Sequence, residues 1–165
     1  MKQHVLAAAL VAALNYSVVS QADDRLVRFD GGIGVIPVAT ATGDPLTPVL
    51  NNVRGMAPGG FPWVIERLAA DVRSDGRIVV DGRGLLLAGG AGIGTAGGQA
   101  VHATLFCGPA AAPSEHGSGA VPLEANGDFR IDDVLDPPPP SVCDTPVLLI
   151  LNGGNRWFAA GIPKP

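Results

Sequence analysis

Leu68-Ala69-Ala70-Asp71-Val72-Arg73-Ser74-Asp75-Gly76-Arg77-Ile78-Val79-Val80 is the stretch that decides the fold. Asp-Gly between two alternating apolar runs signals a hairpin, and the loop length follows from which residues it sets face to face. A two-residue loop would pair Val72 with Val79 and Arg73 with Ile78, mixing polar and apolar side chains on each face. A three-residue loop, Ser74-Asp75-Gly76, pairs Val72 with Ile78 and Ala70 with Val80 and keeps one face apolar. The longer loop is therefore predicted. Gly76 then takes the left-handed position of a type I turn plus bulge, which only glycine adopts cheaply. In this register Arg67 faces Arg83 and Arg73 faces Arg77 on the outer face, beside Asp71 and Asp81. That face reads as a charged, edge-protecting surface first and as an anion or partner patch second.

The same reasoning applies to Leu123-Glu124-Ala125-Asn126-Gly127-Asp128-Phe129. A loop of Ala125-Asn126-Gly127 sets Leu123 against Phe129 and Val121 against Ile131, whereas the shorter loop sets Leu123 against Arg130. Ala100 to Cys107 alternates Val101, Ala103, Leu105 and Cys107 with His102, Thr104 and Phe106, the pattern of a strand buried mainly on one side. Val147 to Leu151 is apolar on both faces, as a central strand should be, and Asn152-Gly153-Gly154-Asn155 turns it into Arg156 to Ile162.

Composition agrees with this reading. The 165 residues include 23 glycines and 15 prolines, a density that interrupts helices and favours short strands joined by turns. No stretch repeats apolar residues at helical spacing over three turns. The expected fold is all-β, an antiparallel two-sheet sandwich of immunoglobulin-like general architecture with one disulfide; a small β-barrel is the alternative. With 47% hydrophobic and 16% charged positions the chain is no disordered polymer, and a net charge of −4 argues against nucleic acid as a partner.

Residues 1–22 read as a secretory signal peptide. Lys2 supplies the positive start, Val5 to Val19 is an apolar run too short to span a core of roughly 30 Å comfortably, and Ser20 and Ala22 precede the expected mature start at Asp23. No transmembrane segment is expected after cleavage. Residues 23–60 form a loosely patterned leader, with short strands at Arg25–Phe29 and Ile33–Ala39 and then a turn-rich stretch. Residues 61–165 form the main β core, in one domain with 23–60. Secretion or delivery to the periplasm makes a disulfide the default for the only two cysteines, Cys107 and Cys143. Pro137 to Pro140 is a stiff connector that delivers the second of them.

Several motifs invite chemistry. Gly92-Ile93-Gly94-Thr95-Ala96-Gly97 matches a dinucleotide fingerprint letter for letter, but another strand follows it where the fingerprint needs a helix. It reads as a flexible loop, or as a glycine-rich rim that admits a ligand closely. His116-Gly117-Ser118-Gly119 lacks the spacing of a nucleophile elbow and reads as surface loop. His102 is read as a solvent-side residue before a catalytic base. Asp132, Asp133 and Asp136 are read as a solvated acidic turn before a calcium site. Glu66 with Asp81, or Glu124 with Asp133, are the carboxylate pairs that glycoside hydrolysis could use. Trp63 and Trp157 are read as packing first and as a binding platform second. No cofactor and no metal site is expected.

Gly60-Phe61-Pro62-Trp63, Gly82-Arg83-Gly84-Leu85-Leu86-Leu87, His102-Ala103-Thr104-Leu105-Phe106-Cys107, Gly127-Asp128-Phe129 and Trp157-Phe158-Ala159-Ala160-Gly161 together resemble a group of uncharacterised secreted bacterial all-β proteins. The resemblance implies a fold and a compartment but no activity, so it carries no functional residue. The expected function is an exported binding or structural module, with an extracellular protein or a small ligand as partner. The alternative is a secreted hydrolase using a carboxylate pair or His102.

Overall fold

The structure is a computed structural model that describes residues 24–40 and 49–165. The expected signal peptide, 1–22, and the mature start at Asp23 lie outside the described residues. Within them the chain forms only strands and turns: β1 (Arg25–Gly34), β2 (Ala39–Thr40), β3 (Val49–Leu50), β4 (Trp63–Val64), β5 (Arg67–Arg73), β6 (Arg77–Arg83), β7 (Leu86–Leu87), β8 (Ala100–Cys107), β9 (Ser114–Gly117), β10 (Val121–Pro122), β11 (Phe129–Val134), β12 (Val147–Asn152) and β13 (Trp157–Lys164). Nine of them build one antiparallel sheet in the order β10-β8-β12-β13-β1-β5-β6-β11, with β9 also on β8. The pairs β2–β3 and β4–β7 stand apart from it.

The first hairpin has the expected register. Arg67 faces Arg83, Ala70 faces Val80 and Val72 faces Ile78. Gly76 sits at φ 87° and its N–H donates to the Arg73 carbonyl at 3.0 Å. Leu68, Val72, Ile78 and Val80 are fully buried, while Arg67, Arg73, Arg77 and Arg83 stay exposed. Each such aliphatic side chain contributes about 1.5–3 kcal/mol by leaving water. The disulfide Cys107–Cys143 is formed, with Cα atoms 4.9 Å apart.

The nine main strands are not split into two facing sheets. The nine-stranded sheet curls into a half-barrel, so the sandwich describes it only loosely. Register shifts in β1 and at Ile150/Leu151 of β12 supply the bulges that let a sheet curl. Its two edges touch at one bridge, where Gly117 N–H donates to Asp136 O at 3.1 Å and Asp136 N–H to Gly117 O at 2.8 Å.

Three local expectations change. The second turn forms as read, with Gly127 at φ 82° and Glu124 N–H donating to Asp128 O at 2.9 Å. Its arms then part. β10 pairs with β8 and β11 with β6, so no ladder joins Val121 to Ile131; each arm has an edge of the main sheet to bond instead. Arg25–Gly34, expected as part of a loose leader, is one strand between β13 and β5 in the middle of the sheet. A bulge around Gly31 (φ 102°) breaks its two-residue period, which hid it. β8 is buried on both faces, Phe106 fully and Thr104 nearly so. Val53 and Met56 pack on the core, and Arg54 donates to the carbonyls of Gly108 (2.9 Å) and Thr145 (2.6 Å), so this segment is tied to the end of β8.

Candidate functional site

Two hollows compete for the role of functional site. The first lies at the seam where the sheet edges meet. It measures about 620 Å³ and is lined by His102, Thr104, Glu115, Ser118, Asp133 and Asp136 among others. Here the structure gathers several residues that catalysis would need, but it has already committed most of them. Asp133 accepts the N–H of Gly119 at 2.7 Å and of Val134 at 2.8 Å, and these two bonds, the Gly119 one first, hold its carboxyl below the usual carboxylate range. Ser118 Oγ accepts the Ala103 N–H and donates to Gly119 O, both at 3.0 Å.

His102 lines the same hollow, and burial alone acts on it, pushing its imidazole below the ordinary value of 6.5. A carboxylate within about 4–6 Å would push it the other way. Among the described residues His102 forms no hydrogen bond or ion pair with a carboxylate. His116, expected in a surface loop, is buried in β9; its Nδ1 donates to Pro137 O at 2.9 Å and its Nε2 lies 2.9 Å from Ser114 Oγ. It ties β9 to the proline run because the bridge at Gly117 brings that run alongside.

Two more of the nominated carboxylates, Asp81 and Asp132, are engaged elsewhere. Asp132 lies 3.4 Å from Arg130. Asp81 is bonded to Arg83 at 2.9 Å, and Arg83 reaches Asp128 at 3.0 Å. These two carboxylates, Asp81 foremost, raise the guanidinium further above its ordinary value. Asp128 is held low, first by the Gly84 N–H and then by Arg83. Asp81 shares a hollow with Glu124 and Asp128, not with Glu66, and Glu124 does not share the seam with Asp133. Among the described residues no three His, Cys, Asp or Glu side chains are grouped to hold a metal ion. Arg25 and Asp71 continue the ion-paired outer face at 2.7 Å.

The second hollow is a groove of about 360 Å³ lined by Gly59, Gly60, Phe61, Trp63, Leu87, Gly97, Gln99, Asn152, Arg156 and Phe158. Its floor is fixed from several directions. Trp63 pairs with Leu87 across β4 and β7, and its N–H donates to Val35 O at 2.8 Å. Gly59 N–H donates to Trp157 O at 2.9 Å, which lays residues 57–60 along β13. The Trp63 and Phe158 rings stack with centroids 4.0 Å apart and planes 14° from parallel, worth about 0.5–1.5 kcal/mol beyond the area they bury. Residue 59 must be glycine for this floor, since a Cβ would lie 2.9 Å from the Phe158 ring.

Above the buried floor, Phe61 is 57% exposed and forms an apolar wall. The glycine-rich loop meets the groove at Gly97, and no helix follows it. Leu87 N–H donates to Thr95 O at 2.9 Å and Gly94 N–H to Leu87 O at 2.8 Å, which pins that loop to β7. On the polar side Asn152 Oδ1 accepts the N–H groups of Gly154 and Arg156, each at 3.0 Å, and so shapes the turn before β13. Gln99 Nε2 reaches Gly97 O at 3.4 Å, leaving its second hydrogen for other use. Trp157, the other platform candidate, belongs to the core cluster, where its indole N–H is buried with no partner among the described residues.

Sequence reasoning flagged Trp63 and the glycine loop separately but did not join them to Phe61, Arg156 or Phe158. Among the described residues no helix is long and apolar enough to cross a membrane. No protein-family model, curated protein or solved structure matches the chain.

Proposed function

We propose that this chain is an exported, disulfide-clamped binding module that takes a small, largely apolar ligand in the groove between Phe61, Trp63 and Phe158. The observation that carries the reading is a rigid apolar floor beside an exposed aromatic wall, bordered by two carboxamides and a guanidinium. A concave apolar surface with a few convergent polar groups is the usual form of a small-ligand site. Export is supported by the disulfide, which oxidising compartments favour, and by the signal-like residues 1–22. The hydrolase alternative has less support at the seam. At the seam, His102 has no carboxylate acting on it, Ser118 is spent on backbone groups, and Asp133 is locked as an acceptor.

A tryptophan-fluorescence titration with small ring-bearing compounds tests the reading. Saturable binding is expected, weakened severalfold by Phe61→Ala, an exposed position whose loss spares the core, and unchanged by Asp133→Ala at the seam. Binding that ignores Phe61→Ala, or that follows Asp133→Ala, would contradict it.

A further inference from the structure

Arginine pairing across the molecule carries a more specific statement about the ligand. Arg25, Arg28, Arg73, Arg77, Arg83 and Arg130 each lie within ion-pair distance of an aspartate. Arg54 is bonded to the carbonyls of Gly108 and Thr145. Arg67 and Arg156 alone among the described arginines have no partner, and only Arg156 borders a hollow. Among the described residues it is the sole charged one lining the groove, and no aspartate or glutamate joins it there. Its backbone is fixed on both sides, since Asn152 N–H donates to Arg156 O at 3.0 Å and Arg156 N–H donates to Asn152 Oδ1 at 3.0 Å.

In a chain of net charge −4, where acids outnumber bases, a guanidinium left unpaired beside an apolar groove is a specific arrangement. Desolvating it against an uncharged ligand would forfeit hydration with nothing gained, whereas a carboxylate matches its fork geometry with two parallel hydrogen bonds. We infer that the groove takes an apolar acid: a ring or hydrocarbon body resting against Phe61 and the Trp63–Phe158 floor, with a carboxylate at Arg156. This rests on the groove being the binding site and adds the sign and geometry of the ligand's polar end.

The test compares 3-phenylpropionate with its uncharged amide, 3-phenylpropionamide, by calorimetric titration of the full mature chain, of Arg156→Gln and of Phe61→Ala. The acid should bind about tenfold more tightly than the amide at low ionic strength, with the gap narrowing as salt screens the exposed pair. Arg156→Gln should bring the acid down to the level of the amide and leave the amide unchanged. Phe61→Ala should weaken both alike. If acid and amide bind equally to the parent chain, or if Arg156→Gln weakens both alike, the inference fails while the groove stands. If the acid is preferred but Phe61→Ala has no effect, the site is elsewhere and the groove reading fails with it. If neither compound binds at millimolar concentration, both statements fall.

Discussion

The seam hollow and the groove are opposites. The seam is the larger, about 620 Å³ against about 360 Å³, and holds the histidine and carboxylates that a search for catalysis would seize on. Yet Asp133 and Ser118 are bonded there to the backbone amides of Gly119 and Ala103, while β10 and β11 each pair elsewhere. The groove holds fewer polar groups, but its arginine is uncommitted. On the proposed reading, unspent hydrogen-bonding capacity on a rigid support guides the choice of site better than residue type and volume do.

The contrast can be broken most forcefully at the groove floor. Trp63→Ala removes the stacked ring beneath the groove and should cost about 3–5 kcal/mol in urea unfolding; a loss under about 1 kcal/mol would mean that the ring packs less tightly than described. Replacing Cys107 and Cys143 by serine opens a loop of 36 positions and should cost about 4 kcal/mol in the chain-entropy account. Thermal unfolding measures it, and if the groove is independent of the clamp, the folded fraction should keep its ring affinity.

Smaller effects sharpen the comparison. Asp133→Ala frees two exposed-side amides, so a loss of about 0.5 kcal/mol is expected, with faster hydrogen exchange at Gly119 and Val134 and none at Trp63. Acid should do the same. The Asp133 carboxyl is held below its ordinary 3.8, so its contribution is complete above that value and is lost as pH falls through the lower folded one. His102 acts in the same direction at higher pH: the unfolded imidazole takes up a proton near 6.5 more readily than the folded one. Stability should therefore decline as pH drops below 6.5, and His102→Asn should flatten that slope. Smallest of all, Arg156→Gln should change stability by less than about 0.5 kcal/mol, because its guanidinium has no partner among the described residues.

The first hairpin was legible because Val72, Ile78 and Gly76 constrain one another: apolar phase and turn geometry allow a single register. The bridge between Cys107 and Cys143 and the central place of Val147–Leu151 were legible for similarly local reasons. The parting of β10 and β11 was not, since a turn fixes which residues could face each other but not whether a better edge competes for them. Burial of Phe106 was hidden because residues far away in sequence, Val53 and Met56 among them, pack on the core and carry no period of their own. The groove was the least legible. Its walls come from residues 59–63, 87, 97–99 and 152–158, and only the curl of the sheet brings them together.

Nitrogen–proton correlation NMR during a titration with 3-phenylpropionate puts the central claim to the most direct trial, because both hollows report at once. The account predicts shifts concentrated at the amides of Gly59, Gly60, Gly97 and Arg156 and at the Trp63 indole, with Gly117, Gly119 and Val134 unmoved. Shifts centred on the seam residues, with the groove amides silent, would contradict it.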